Sequence, residues 1–206
     1  MKQRPTHFIS IPLTKPALTQ PRLDEIRSRL LQSQIAGIKE QDFIKASKLH
    51  FTIGLLLLTD KKLTAGTALL NSLKPAIIPL LQRRVELKLD RLGCFPKPDN
   101  ARVLYCTPSE KGALGALEEV SRIVRRKFRE EGLLTDTGPL NLHCTILKTS
   151  AASRRQKRPE FSFHAVQDAL KDLSLGGPYP LERIEICEIG SATPDGFYKC
   201  EAAIAL

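Results

Sequence analysis

The sequence predicts an α+β domain built from two similar halves. Each half reads as a strand, a helix, a second strand, a helix and closing strands, because period-2 and helical hydrophobic patterns alternate along it. A five-residue phrase recurs at matching places, as LHFTI at 49–53 and as LHCTI at 142–146. Only the segment 96–100 separates the halves. We therefore expect one domain of residues 1–206, with lobes of about 1–98 and 99–206 that could exchange terminal strands.

The elements of the first half follow from local periodicity. A β-rich stretch at 6–13 precedes apolar residues at helical spacing over 23–35. The continuous apolar run at 50–58 predicts a buried strand, and 61–73 predicts a helix that a proline interrupts two residues later. Apolar and charged residues alternate over 85–89, which is the period of a half-buried strand.

The second half opens with a strand at 102–106 and a helix that runs to Phe128. The sequence TPSE at 107–110 predicts the helix start, with Thr107 as N-cap, proline at the first helical position and Glu110 closing a capping box.

The remaining elements are a strand at 143–148, a helix at 163–173 and two final strands. The sequence GGP at 176–178 predicts a stop after the helix. The strands at 182–191 and 197–206 are joined by a Pro-Asp-Gly turn signal, which predicts a hairpin.

Composition narrows the class of protein. The 206 residues are 42% apolar and 26% charged, which is typical of a soluble globular protein, and no apolar run is long enough to span a bilayer. We therefore expect no membrane partner, and a location in the nucleus, the cytoplasm or both. Five cysteines without a CxxC pair indicate buried free thiols rather than disulfides or a zinc site.

The formal net charge of +10 favours an anionic partner, most simply a nucleic acid or a nucleotide. Much of this charge lies in two runs, at 122–129 and 154–158. Each run could equally be a solvated face or loop, and the second could serve as a nuclear-localisation patch.

The repeated phrase carries the chemistry. In a strand, residues i and i+2 share a face, so His50 with Thr52 and His143 with Thr145 would each present an imidazole and a hydroxyl together. Near neutral pH one histidine can accept a proton while the other donates one, and the threonine hydroxyls can stabilise charge on a phosphate. Either phrase alone would more often be structural; its recurrence in corresponding halves favours catalysis or phosphate binding.

The reaction that suits this set is phosphodiester cleavage without a metal or other cofactor. The nucleophile could be water attacking a 2′,3′-cyclic phosphate, or a ribose hydroxyl attacking a 2′-5′ or 3′-5′ linkage. His7 and His164 lack a threonine two residues later, and we interpret both as structural.

Three further residues are candidates for substrate binding. Phe197 and Tyr198 follow the predicted turn and could stack on a base, or could simply pack the hairpin. Lys148 could contact phosphate, although strict alternation would turn it away from the face of His143 and Thr145.

The two His-x-Thr phrases resemble the signature of the 2H phosphoesterase superfamily, and the resemblance covers nearly the whole chain. Within it, the chain is most similar to the branch of the A-kinase anchoring protein 7-type central domain and the phosphoesterase domain of activating signal cointegrator complex subunit 1. Supporting sequences are THFISIPL at 6–13, Asn141-Leu142 and DGFY at 195–198.

The resemblance implies a bilobal fold in which two antiparallel sheets form a central groove, with helices outside. It also implies a catalytic set of His50, Thr52, His143 and Thr145, with His50 as acid and His143 as base, and a monomer acting on RNA or a nucleotide. No helix follows the last strand to dock a kinase subunit, so we expect no anchoring role. No KH domain precedes the first strand, so the nucleic-acid affinity of the cointegrator subunit does not simply transfer to this chain.

Two other functions stay open at this point. The groove could be a module that binds nucleotides or RNA ends within a larger protein complex, with little turnover. The basic runs could instead make the chain a scaffold for a protein partner.

Overall fold

The structure is a computed structural model that describes residues 4–81, 86–109, 111–151, 156–171 and 173–206. Its strands are β1 (His7–Pro12), β2 (His50–Leu56), β3 (Glu86–Leu89), β4 (Arg91–Phe95), β5 (Val103–Thr107), β6 (Cys144–Lys148), β7 (Gly176–Pro180), β8 (Arg183–Glu188) and β9 (Cys200–Ala205). Its helices are α1 (Pro16–Gln32), α2 (Asp60–Ser72), α3 (Lys74–Ile77), α4 (Lys111–Glu130) and α5 (Phe163–Leu170).

The strands form a seven-stranded antiparallel sheet and a separate pair. The order in the large sheet is β4-β5-β6-β2-β1-β8-β9, and β3 pairs with β7. Strands β8 and β9 come from the second half of the chain but extend the sheet beside β1, whereas β4 comes from the first half and pairs with β5. This mixed architecture confirms the predicted α+β class.

The large sheet is continuous through a single residue pair. Strands β2 and β6 are joined where Phe51 faces Cys144, and that is the whole of the register described between them. Both side chains are fully buried. The two groups of strands are therefore joined at the place where the repeated phrases lie.

One face of the sheet is covered by helices and forms the core. Alternate residues of β1 and β2, including Ile9, Ile11 and Ile53, are buried there. Helix α4 packs against this face through Leu117, Val120, Val124 and Phe128, which are all 0% exposed. Burial of one such side chain contributes roughly 1.5–3 kcal/mol. The opposite face of the strands is left for polar side chains.

The predicted start of α4 is wrong. Thr107 continues β5 and faces Arg91 in the ladder, so strand pairing prevails over the capping role that the sequence predicts for it. The helix begins at Lys111. Ser109 instead binds the Asp90 carboxylate, which accepts from its backbone N–H at 3.0 Å and from its hydroxyl at 2.8 Å. Glu110, the other member of the predicted box, lies outside the described residues.

The predicted stop at 176–178 is also wrong, because these residues begin β7. Gly177 has φ of +148°, and a Cβ there would lie 2.5 Å from the carbonyl oxygen of Leu87 on β3. Glycine is therefore needed for the close approach that allows Leu87 to pair with Tyr179. Residues 176–178 therefore allow β7 to pair with β3, whereas α5 ends earlier, at Leu170.

Several smaller features complete the comparison with the sequence. The hairpin of β8 and β9 is confirmed, although its strands are shorter than predicted. All five cysteines are free thiols; Cys106, Cys144 and Cys187 are buried, and Cys200 is exposed. Val85 of the predicted half-buried strand, and Arg154 and Arg155 of the second basic run, lie outside the described residues. Within the part of the chain that the structure describes, no helix is both long and apolar enough to cross a membrane.

Candidate active site

The four predicted catalytic side chains lie on one face of adjacent strands. Because Phe51 and Cys144 face each other and point into the core, the residues on either side of them point to the opposite face. Continuing the antiparallel register places His50 across from Thr145, and Thr52 across from His143. His143 lies immediately before β6, so each histidine has its own threonine two residues later and the other threonine across the two strands.

His50 is held by two hydrogen bonds. Its Nδ1 donates to the carbonyl oxygen of Lys48 at 2.7 Å, and its Nε2 lies 3.0 Å from the Thr52 hydroxyl. A carbonyl oxygen only accepts, so the proton is on Nδ1. In the neutral ring, Nε2 therefore accepts from Thr52. Burial lowers the pKa of His50 and the nearby His143 lowers it further, while the bond to the Lys48 carbonyl offsets part of this lowering.

His143 is oriented in the same way. Its Nδ1 donates to the carbonyl oxygen of Asn141 at 2.8 Å, again two residues earlier in the chain. The bond is exposed to solvent, whereas that of His50 is partly buried. The shared bond fixes the same tautomer in both rings, and Nε2 is then the atom that can exchange a proton with a substrate.

Two aromatic side chains pack against each histidine. We call Phe8 and Tyr198 the first aromatic pair; their ring centroids lie 5.0 Å and 5.4 Å from that of His50. The two rings also meet edge to face, with centroids 5.0 Å apart. The Lys48 ammonium lies 4.7 Å from the Tyr198 ring centroid. Burial raises the pKa of the Tyr198 hydroxyl.

Phe95 and Tyr105 form the second aromatic pair, around His143. Their ring centroids lie 5.1 Å and 5.2 Å from that of the imidazole, and 4.6 Å from each other. Gly93 faces Tyr105 on the neighbouring strand. A Cβ at Gly93 would lie 2.4 Å from the Tyr105 ring, so the absence of a side chain there makes room for the tyrosine to lie beside His143.

The structure places the three predicted substrate-binding residues differently. Tyr198 lies beside His50, whereas Phe197 lines a separate cavity between α1 and the segment 40–47. The alternation argument against Lys148 fails, because β6 has an extra residue where it pairs with β5. This bulge puts Lys148 opposite Val103, on the face that carries Tyr105 and Thr145.

Sequence reasoning missed Phe8, Phe95 and Tyr105. A signal for two of them is present: Phe8 alternates with the buried Ile9, and Tyr105 lies between the buried Leu104 and Cys106. An aromatic side chain on the polar face of a strand marks a place where a ring is needed outside the core. Phe95 lies in β4, which the sequence analysis did not predict.

The other two histidines lie outside this group. His7 shares a hydrogen bond with the adjacent Thr6, and His164 lies on α5 with Nε2 3.9 Å from Asp99. Among the described residues, no three His, Cys, Asp or Glu side chains are grouped so as to hold a metal ion.

Arg125 supports the site from the core side. Its guanidinium donates to the carbonyl oxygen of Ile53 at 2.6 Å, to the Asp136 carboxylate at 2.5 Å and to the carbonyl oxygen of Gly138 at 2.9 Å. Asp136 also accepts from the backbone N–H of Leu55 at 2.8 Å. Arg125 is 6% exposed, so these bonds form a buried network. The network ties α4 to the strand of His50 and to the segment that leads to His143.

Comparison with known proteins finds a matching family and similar folds. A family model described as the AKAP7 2'5' RNA ligase-like domain matches residues 5–206. No curated protein sequence matches the chain.

Three solved structures share the fold. The MHV ns2 PDE domain has a TM-score of 0.53 and 17% identity over 91% of this chain and 100% of that one. The protein TT0787 of Thermus thermophilus has a TM-score of 0.52 and 18% identity over 98% of this chain and 97% of that one. E. coli LigT in complex with 3'-AMP has a TM-score of 0.50 and 16% identity over 99% of both chains. At these identities the likeness establishes the fold.

Proposed function

The chain belongs to the family of AKAP7 2'5' RNA ligase-like domains and is a 2H phosphoesterase, and on this premise we propose that it cleaves RNA-like phosphodiesters without a metal. The proposed substrates are 2′-5′ linked oligonucleotides or 2′,3′-cyclic phosphates. The observation that carries the proposal is the meeting of two His/Thr pairs on one face of β2 and β6, with both Nδ1 atoms bound to carbonyl oxygens.

The proposed mechanism uses the two Nε2 atoms on a phosphate between them. One imidazole removes the proton from the attacking hydroxyl or water as the new P–O bond forms. The other gives a proton to the leaving oxygen as the old P–O bond breaks. The protein thereby accepts one proton and donates one, so no net proton is consumed by the pair. The backbone bonds at Nδ1 keep both rings in the orientation that this exchange needs.

The threonines contribute differently before and after substrate binds. In the free protein the Thr52 hydroxyl bonds Nε2 of His50. A phosphate that takes over Nε2 frees the hydroxyl to donate to a non-bridging oxygen, and Thr145 lies across the strands for the same purpose. Such donors stabilise the negative charge that develops in the transition state. The half-buried rings of Phe95, Tyr105 and Tyr198 would offer surfaces against which the bases of the substrate stack.

The direction of proton transfer remains a prediction, with His50 as acid and His143 as base. Burial lowers the pKa of His50, and the negative charge of a bound phosphate would raise it, which favours the protonated ring that an acid needs. The test is the residual activity of His143→Ala across pH. If His50 is the acid, this activity falls as pH rises through the pKa of His50; a rate that instead rises with pH makes His50 the base.

The function is tested by incubating the protein with 2′-5′ and 3′-5′ oligonucleotides and 2′,3′-cyclic nucleotides in the presence of EDTA, and identifying the product termini. Cleavage that is lost in His50→Ala and in His143→Ala supports the proposal. Full turnover in the double variant overturns it. If wild type binds these ligands without cleaving any, and the variants keep that affinity, the chain is a binding module instead.

A further inference from the structure

A basic site separate from the candidate active site lies on the core side of the sheet. A cavity of about 630 Å³ opens between α4 and the segment 137–142. Its lining includes Arg122, Arg125, Arg126 and Arg129, together with a single carboxylate, that of Glu118. The catalytic step proposed above uses none of these side chains.

Three of these arginines form an exposed stripe. Arg122, Arg126 and Arg129 are spaced i, i+4 and i+7, so they lie on one face of α4 and all are exposed. The carboxylates that pair with them, on Glu119 and Glu130, are not among the residues that line the cavity.

The ion pairs of the stripe do not prevent it from binding an anion. Arg122 pairs with Glu119, and Arg126 lies 3.9 Å from Glu130, which also binds Lys127 at 2.7 Å. Exposed pairs of this kind contribute only about 0–1 kcal/mol. A phosphate group, which offers several oxygens to a guanidinium, can displace these carboxylates at little cost. Arg125 is committed to its buried network, so the stripe supplies the available donors.

The cavity is close to the site along the chain. Gly138 and Leu142 line it, and His143 follows directly. Five residues of extended chain span at most about 17 Å. A strand of nucleic acid with stacked bases advances about 3.4 Å per nucleotide, so at most about five nucleotides cover that distance around the 138–142 segment. A dinucleotide has a single linkage, which the histidines would hold, whereas a longer strand has further phosphates for the arginines.

We infer that this arginine stripe binds the phosphate backbone of an RNA strand whose scissile linkage lies between His50 and His143. The inference rests on the proposed function and narrows it. The substrate is a chain of several nucleotides rather than a single cyclic nucleotide, and the stripe supplies affinity that does not depend on base sequence.

The test compares Arg122→Gln/Arg126→Gln/Arg129→Gln with a control variant that loses the same charge elsewhere, Arg29→Gln/Lys61→Gln/Lys62→Gln, whose side chains are exposed on α1 and α2. A 2′-O-methyl RNA of about ten nucleotides, which lacks the ribose nucleophile, reports binding by fluorescence anisotropy between about 50 and 200 mM salt. We expect the stripe variant to bind about tenfold or more weakly than the control variant. Three lost contacts should reduce its salt slope by about 2.

Cleavage gives the second measurement, on a dinucleotide and on a ten-residue RNA with the same scissile linkage. We expect the stripe variant to lose kcat/KM on the long substrate only. Equal RNA affinity in the stripe and control variants overturns the inference and leaves the proposed function intact. Binding of a polyglutamate peptide as tight as that of RNA also overturns it, in favour of an acidic protein partner. If wild type cleaves neither substrate, the proposed function fails while the binding measurement still decides the stripe.

Discussion

The two histidines carry the same local sequence but occupy different surroundings. His50 is partly buried, bonds Thr52 and has a lowered pKa. His143 shares the backbone bond at Nδ1, but that bond is exposed to solvent. The aromatic pair at His50 comes from β1 and the 189–199 connection, whereas the pair at His143 comes from β4 and β5. Repetition of the phrase thus repeats the orientation of the ring and not its environment.

This difference separates two roles of the sequence. The short phrase sets which face the imidazole takes and which nitrogen carries the proton. Burial and ring contacts are set by residues far away in the chain, and they differ because different strands flank β2 and β6. Acid and base catalysis by a histidine pair requires one protonated and one neutral ring, and unlike environments favour that state.

The largest effects should come from removing either ring. We expect His50→Ala and His143→Ala each to lower kcat by about 10²- to 10⁴-fold, because each removes one proton transfer. The double variant should lose little more than the worse single one, since the two groups act together. Losses that instead multiply would mean that the histidines act independently. Circular dichroism and urea unfolding would check that both single variants stay folded.

A substitution of Arg125 tests the buried network that supports both histidines. Arg125→Met leaves Asp136 without its cation and should lower the free energy of unfolding by about 3–5 kcal/mol. The paired variant Arg125→Met/Asp136→Leu removes both charges, and urea unfolding should show it to be more stable than Arg125→Met alone. If the two variants unfold alike, the loss belongs to the bonds from Arg125 to Ile53 and Gly138.

A substitution of Gly93 tests the surroundings of His143 alone. Gly93→Ala puts a methyl group where the Tyr105 ring lies, so the ring must move away from its place beside His143. We expect kcat/KM to fall by about tenfold, since small displacements near reacting groups are costly. Gly115→Ala is the matched control, because no atom lies within 4 Å of its added Cβ. If displacement of the ring is the cause, Gly93→Ala/Tyr105→Leu should lose as much kcat/KM as Gly93→Ala. A double variant whose kcat/KM exceeds that of wild type contradicts the explanation.

The smallest effect concerns the stability that His50 contributes. Its pKa is lower in the folded protein than its ordinary value of about 6.5, so the unfolded chain binds more protons as pH falls below that value. The contribution of His50 is full above about pH 6.5 and is lost as pH falls through the folded pKa. From about pH 7 to pH 5, wild type should lose unfolding free energy more steeply than His50→Gln. Parallel curves from urea titrations would contradict the burial of the ring.

Much of the site could be predicted from sequence because its signal is local. The catalytic set needs only the i, i+2 rule, and the structure does bring His50, Thr52, His143 and Thr145 to one face. Local rules failed where a distant strand decides the outcome. Thr107 has the side chain of a good N-cap, but it pairs with Arg91 in the strand ladder instead. Gly177 has the sequence of a helix stop, but it lies in β7, where β3 packs closely against it.

The residues around the histidines show the same limit. Strict alternation predicts the wrong face for Lys148, because the bulge in β6 is visible only in its pairing with β5. Phe8, Phe95 and Tyr105 are separated from the histidines by tens of residues, and no local pattern links them. Tyr198 was identified from its position after a turn, but the neighbouring Phe197 points into another cavity.

The single pair of Phe51 with Cys144 has a consequence for how the site keeps its alignment. A shift of one residue at this seam would exchange the faces of β6, burying both His143 and Thr145 and exposing Cys144. A long ladder usually prevents such a slip, and here none is described between the two strands. Burial of the two facing apolar side chains fixes the register instead. The alignment of the polar side chains on one face of the sheet therefore depends on hydrophobic packing on the other face.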